Sequence, residues 1–174
     1  IAQLKQISIF QNLATTQLTN LIPYSYVREY EPNEIVMQEG DRLPQQLHAL
    51  ITGTLEIKKT AVNGKETVMR LIPAGELFAA PAIFGNGIAP ATVICQVKSQ
   101  VLMIDRKALL KAISHTPEIS LRILAVFNQR LQQLHNTVHG LISERAIQFF
   151  LDYLHIRDIR IHRLIVYLVQ RVLL

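Results

Sequence analysis

Residues 47–72 read LHALITGTLEIKKTAVNGKETVMRLI. Apolar runs at 47–51, 55–57 and 67–72 are punctuated by Thr52-Gly53 and by Asn63-Gly64-Lys65. Runs this short, bounded by turn-forming residues, read as strands rather than helices. Asn63-Gly64 is the sharpest break, because both residue types tolerate the positive φ that a tight hairpin demands. The texture continues outward: residues 34–37 precede Glu39-Gly40-Asp41, Ala74-Gly75-Glu76 follows the quoted stretch, and further runs lie at 91–94 and 101–104. From Tyr24 to Ile104 a turn signal recurs about every ten residues, the mark of an antiparallel sandwich or barrel. One stretch departs from it. Residues 78–84 are Ala-rich and end at Gly85, which predicts a short helix inserted between strands.

Both flanks are helical. Ile7, Ile9, Phe10 and Leu13 precede Thr15-Thr16-Gln17-Leu18, where a Thr can cap a new helix. Beyond Asp105, Leu124, Phe127, Leu131, Leu134, Val138 and Leu141 follow the alternating three-and-four spacing of a coiled-coil seam, with no breaker between Pro117 and Gly140. The pattern predicts a dimerisation helix over 116–142, following helices and a β-roll over 1–115. A second helix is expected from Ser143, as its N-cap, to Leu154. The last twenty residues alternate basic and β-branched residues without a turn signal, and no Gly or Pro follows Gly140. Residues 143–174 are therefore read as the incomplete start of a further domain.

Composition narrows the function classes. Half of the 174 residues are hydrophobic (49%) and 18% are charged, which excludes a disordered chain. The lone Cys95 excludes a disulfide scaffold and any site built on Cys alone. No apolar run approaches the ~20 residues of a membrane span, and no signal peptide is visible, so a cytoplasmic protein with no membrane partner is expected. The net charge of +5 permits nucleic-acid binding, with three of those charges in residues 117–174.

Taken in order, several pieces of the chain resemble the Crp/Fnr family of bacterial transcription regulators. They are Ile9-Phe10-Gln11-Asn12-Leu13, Gln38-Glu39-Gly40-Asp41, Leu50-Ile51-Thr52-Gly53, Gly64-Lys65-Glu66, Gly75-Glu76-Leu77-Phe78, Pro90-Ala91-Thr92-Val93, the long helix, and Ser143-Glu144-Arg145-Ala146-Ile147-Gln148. The resemblance implies an α+β fold: an antiparallel, jelly-roll-like β-roll of the cyclic-nucleotide-binding type, a dimerisation helix, and a C-terminal winged helix-turn-helix, here partial or truncated. It also implies a homodimer that binds DNA through the C-terminal domain and works with RNA polymerase, and a protein that is not an enzyme. Members that bind cyclic AMP or GMP carry Gly-Glu in the inserted helix and an Arg shortly after. The matching positions here are Ala79-Ala80, and residues 88–94 contain no Arg or Lys. A buried phosphate without a cation is costly to desolvate, which argues against cyclic AMP. No recognition helix is legible after His155, and Arg157, Arg160, Arg163 and Arg171 are candidates only for non-specific phosphate contact.

If the roll keeps the family shape, its effector pocket is lined by Leu71, Phe78, Ala79, Ala80, Phe84 and Thr92 and covered by Leu131 and Leu134. An Ala-Ala pair there suits an apolar effector. Haem, which some relatives carry, would need a ligand such as His135, His139 or His48. The plainer reading leaves His135 and His139 as polar positions flanking the seam, His48 on the sheet surface, and Cys95 as a small core residue. An enzyme of cupin type would need a His-x-His pair, which the chain lacks. A sensor acting through a protein partner is the remaining alternative.

Overall fold

The computed structural model describes residues 1–61 and 63–153, with backbone alone at 139 and 141–153. The chain divides into two units, Ile1–Ile123 and Leu124–Leu174. Residues from Leu154 onward, including the tail arginines and any reading head there, lie outside the described residues.

The first unit opens with α1 (Ala2–Lys5) and α2 (Thr15–Leu18), the latter running into a 3-10 helix over Thr19–Tyr24. Ile7, Ile9, Phe10 and Leu13 are all buried between them. The cap of α2 is Ala14 rather than a Thr: its N–H donates to Gln17 Oε1 at 2.7 Å, so the long amide supplies the acceptor that a Thr hydroxyl was expected to give.

Six strands follow: β1 (Ser25–Tyr30), β2 (Ile35–Met37), β3 (Gln46–Thr60), β4 (Glu66–Pro73), β5 (Leu77–Phe78) and β6 (Thr92–Asp105). All pair antiparallel in the order β1-β6-β3-β4, with β2 on β6 and β5 on β3. This is the expected roll. It differs from the sequence reading in that four of the expected short strands are halves of two long ones. Thr52-Gly53 does not turn the chain back. Register shifts around residues 50–55 mark a bulge, Gly53 has φ +94°, and a Cβ there would lie 2.1 Å from Ser99 Oγ on β6. Only glycine allows so close a strand crossing, and the bulge bends β3 without ending it. The hairpin at Asn63-Gly64 forms as expected, with Gly64 at φ +77° and Thr60 paired to Glu66. β1 carried no apolar run to announce it; Tyr30 is its one buried residue.

Inside the roll, Leu50, Leu55, Ile72, Phe78, Val93 and Val101 form the centre of the core. Cys95 is wholly buried among them, as a small core residue. Between β5 and β6 lies α3 (Pro81–Phe84), starting three residues later than the sequence suggested, because Leu77 and Phe78 are claimed by pairing with β3. Asp105 then caps α4 (Arg106–His115), its carboxylate accepting the Ala108 N–H at 3.0 Å.

The helix α5 runs Glu118–Tyr153 without interruption. Its backbone passes through Gly140 and Ser143, so Ser143 is an interior residue and not a cap. One glycine inside a helix costs only about 1 kcal/mol relative to Ala, too little to stop a helix of this length. Among the described residues, no helix is long and apolar enough to cross a membrane.

Candidate functional site

The turn from β5 into α3 is made at Ala79, which has φ +54°. That is left-handed backbone, costing an L-residue with a Cβ about 1–2 kcal/mol. Ala80 follows with ordinary right-handed angles as the N-cap, and Pro81 takes the first helical position, where its missing N–H is no loss. Phe78 is buried and Ala79 packs against the roll core. Both Ala79 and Ala80 stay partly exposed, so this turn forms an apolar wall at the core's edge.

Thr92, at the start of β6, is buried, and its hydroxyl oxygen accepts the Glu39 N–H at 3.1 Å and a Gln38 Nε2 hydrogen at 3.2 Å. It thereby ties the loop after β2 to the strand after α3. A cation completes the knot from a third element: Lys59, near the end of β3, donates from Nζ to the Pro90 carbonyl at 2.6 Å and pairs with the Glu39 carboxylate at 2.5 Å. The Lys59 hydrogen bond holds the Glu39 carboxyl below its ordinary pKa. Residues 88–94 lack a cation of their own, yet one is delivered to them across the sheet. On β4, Arg70 lies opposite Ile57 and on the same face as the buried Ile72, with its guanidinium 2.6 Å from the Glu76 carboxylate. Lys59 and Arg70 are thus each matched by a carboxylate.

Phe78, Ala79, Ala80 and Thr92 come together as expected. Leu71 points the other way: strand alternation puts it opposite Ile72, and it is 48% exposed. Phe84 ends α3 at 47% exposure. On α5, Leu124, Leu131, Leu134 and Val138 are exposed and Phe127 is half-buried; the side chains of His139 and Leu141 lie outside the described residues. His135 is exposed. His48 was expected on the sheet surface and is buried at 3% exposure, because its pairing with Phe78 and Met103 turns it inward. Sequence reasoning missed Lys59, Glu39 and Arg70. Arg70 could have been found from period-two alternation with Ile72; Lys59 and Glu39 could not, since their meeting depends on how the loop after β2 folds onto β3.

The profile of the family described as "Cyclic nucleotide-binding domain" matches residues 27–116, just over half of the 174. The chain belongs to the cyclic nucleotide-binding domain family. Within that family it groups with the Crp/Fnr regulators. It is 28% identical over 141 residues to the CRP-like cAMP-activated global transcriptional regulator of Mycobacterium tuberculosis, covering 80% of this chain and 62% of that protein. The chain thus spans under two thirds of that relative's length. Its fold is similar to the catabolite activator protein of Thermus thermophilus (TM-score 0.68, 24% identity, 80% of this chain and 65% of that one). It is also similar to the sensor domain of the transcriptional regulator DNR from Pseudomonas aeruginosa (TM-score 0.62, 23% identity, 78% and 90%).

In this cyclic nucleotide-binding domain, the turn at Ala79 takes the backbone shape that a glycine adopts without strain, while the residue is alanine. Ala80, at the position where the resemblance leads one to look for a carboxylate, offers none.

Proposed function

We propose that this chain is the effector-sensing and dimerising part of a Crp/Fnr-type transcription regulator, whose DNA contacts come from a C-terminal domain and whose effector is not a cyclic nucleotide. The observation that carries the reading is the row of apolar side chains on α5: Leu121, Leu124, Leu131, Leu134 and Val138 are 53–66% exposed. Spaced three, four or seven apart, they share one helix face, and an exposed apolar seam of that kind is buried by a second copy of the same helix. A two-fold dimer would set two DNA-reading heads at a fixed spacing for a palindromic site. Binding of an effector beside the helix would shift the population between two helix arrangements.

The effector reading is supported by Ala79 and Ala80. Neither side chain can hold a ribose hydroxyl, and the cations Lys59 and Arg70 are already engaged by Glu39 and Glu76. An apolar effector, as the Ala-Ala wall suits, needs none of these groups to be released.

A haem does not fit at His48. The cavity that His48 lines holds about 300 Å³, at the floor of the ~300–1,000 Å³ of sites for drug-sized ligands. Among the described residues, no His, Cys, Asp or Glu side chains converge in threes.

Sedimentation equilibrium on the purified chain tests the dimer, and a monomer at all concentrations up to roughly 1 mM (~4 kcal/mol of standard-state binding energy) would overturn it. Titration with cyclic AMP tests the effector class: saturable binding at micromolar levels sinks that part alone. An absorption spectrum after incubation with haem completes the set, a sharp Soret band moving the effector reading to haem held at His135 or His139.

A further inference from the structure

The roll holds a cavity lined from β1, β2, β3 and β6. Tyr26, Arg28 and Tyr30 alternate along one face of β1. The strand register sets Tyr26 beside Met103 of β6, and Met103 beside His48 of β3. With β2 and the loop after it, this row encloses about 300 Å³. Its buried lining is Tyr30, Met37, Leu43 and Met103, together with His48. Its mouth is exposed and charged, with Arg28, Asp41 and Arg42.

The protonation of His48 follows from its neighbours. Nδ1 lies 3.0 Å from the Gln46 carbonyl oxygen, which can only accept, so Nδ1 carries the hydrogen. Burial lowers the imidazole pKa to about 4, so the ring is neutral and Nε2 keeps a lone pair. Nε2 has no hydrogen-bond partner among the described residues, yet no buried side-chain nitrogen or oxygen there is left unsatisfied. The lone pair is therefore reached from the cavity that His48 lines.

The charges at the mouth are equally telling. Arg28 is engaged, paired with Glu34 at 3.0 Å and lying 4.6 Å over the Tyr30 ring. Asp41 and Arg42 are adjacent in sequence and line the same cavity, but they pair neither with each other nor with any other side chain among the described residues. An open carboxylate and an open guanidinium at one mouth match a molecule bearing both an ammonium and a carboxylate.

We propose that this cavity binds a free aromatic α-amino acid whose ring carries a hydrogen-bond donor, its carboxylate on Arg42, its ammonium on Asp41, its ring among Tyr30, Met37 and Met103, and its donor on His48 Nε2. The site is separate from the Ala79 turn and does not rest on the effector reading above. It adjoins that turn, because the His48 ring lies 5.6 Å from that of Phe78, the residue before Ala79.

The test is calorimetric titration of the whole chain with L-tyrosine at millimolar concentration, beside three probes that each lack one group. L-phenylalanine lacks the ring donor, tyramine the carboxylate, and 3-(4-hydroxyphenyl)propionate the ammonium. L-tyrosine is expected to bind saturably and each probe more weakly: L-phenylalanine by about tenfold, for a donor lost to the buried His48, and tyramine and the propionate by a few-fold, the worth of a charge contact at an exposed mouth. Arg42→Gln, on an exposed loop, should weaken L-tyrosine by a similar factor and leave tyramine unchanged. Absence of L-tyrosine binding overturns the proposal, as does equal binding of tyrosine and phenylalanine. So does an Arg42→Gln variant that binds tyrosine as well as the parent chain. The probe series needs no substitution at His48, so the assignment of Nε2 is tested even if His48→Phe does not fold.

Discussion

The β-roll and α5 treat the same residue type in opposite ways. In the roll, Leu47, Leu50 and Leu55 are at most 2% exposed; on α5, Leu121, Leu124, Leu131 and Leu134 are at least 60% exposed. Composition cannot account for this, since leucines are buried wherever a facing surface exists. The roll supplies its own facing surface, because β3 and β6 pair along most of their length and curl around one core. The seam of α5 has none within the described chain. What differs is where the partner atoms come from, and the two regions should respond to substitution in different assays.

The sharpest way to break the comparison is to charge the seam. The double substitution Leu131→Asp with Leu134→Asp should raise the dimer dissociation constant by roughly a thousandfold, since each copy would bury unpaired carboxylates. Sedimentation equilibrium reads this directly, and an unchanged dimer would place the interface elsewhere. Next in size is a matched pair of truncations. Leu50→Ala should cost about 2–5 kcal/mol of unfolding free energy, the range for a leucine removed from a packed core. Leu131→Ala, measured below the dimer dissociation constant, should stay within about 0.5 kcal/mol of the parent. Similar losses in urea melts would mean that α5 is packed against its own chain.

His48 tests the interior of the roll by pH. Burial lowers its pKa from 6.5 to about 4, so the unfolded chain takes up the proton first as pH falls. The stability due to the neutral ring is present above pH 6.5 and is lost on descent towards pH 4, by on the order of 3 kcal/mol. His48→Phe should flatten that slope in denaturant melts at pH 7 and pH 4.5, and an unaltered slope would assign it to other groups. The smallest effect is expected at Ala79. Ala79→Gly relieves about 1–2 kcal/mol of left-handed strain and returns about 0.5–1 kcal/mol through the greater freedom of the unfolded chain. A net gain of about 0.5–1 kcal/mol should raise the melting temperature by a few degrees. A loss would show that the Cβ of Ala79 makes contacts worth more than the strain.

The roll was legible because its turn signals are local: Asn63-Gly64 states its hairpin in two residues, and the alternation of apolar runs states the strands. The same locality misled at Thr52-Gly53. A glycine that closes a turn and one that admits a crossing strand look alike until Ser99 is known to lie against it. β1 escaped notice because an edge strand with one buried residue has no pattern to show. At the candidate site, Phe78, Ala79, Ala80 and Thr92 could be named in advance through the family resemblance. The Lys59–Glu39 pair could not, because it joins β3 to the loop after β2, and their meeting is a long-range property of the fold. His48 was misplaced for the same reason: only its neighbours on β5 and β6 decide which face is inside.

The left-handed backbone at Ala79 has a meaning for descent. Alanine and glycine codons differ by one base, so replacement of Ala79 by glycine is a single mutational step and, by the strain argument, a favourable one. For this chain an unstrained turn is one downhill step away, while a polar pocket also requires a carboxylate at position 80 and a cation freed from Glu39 or Glu76. The architecture at this turn is easier to change than the chemistry.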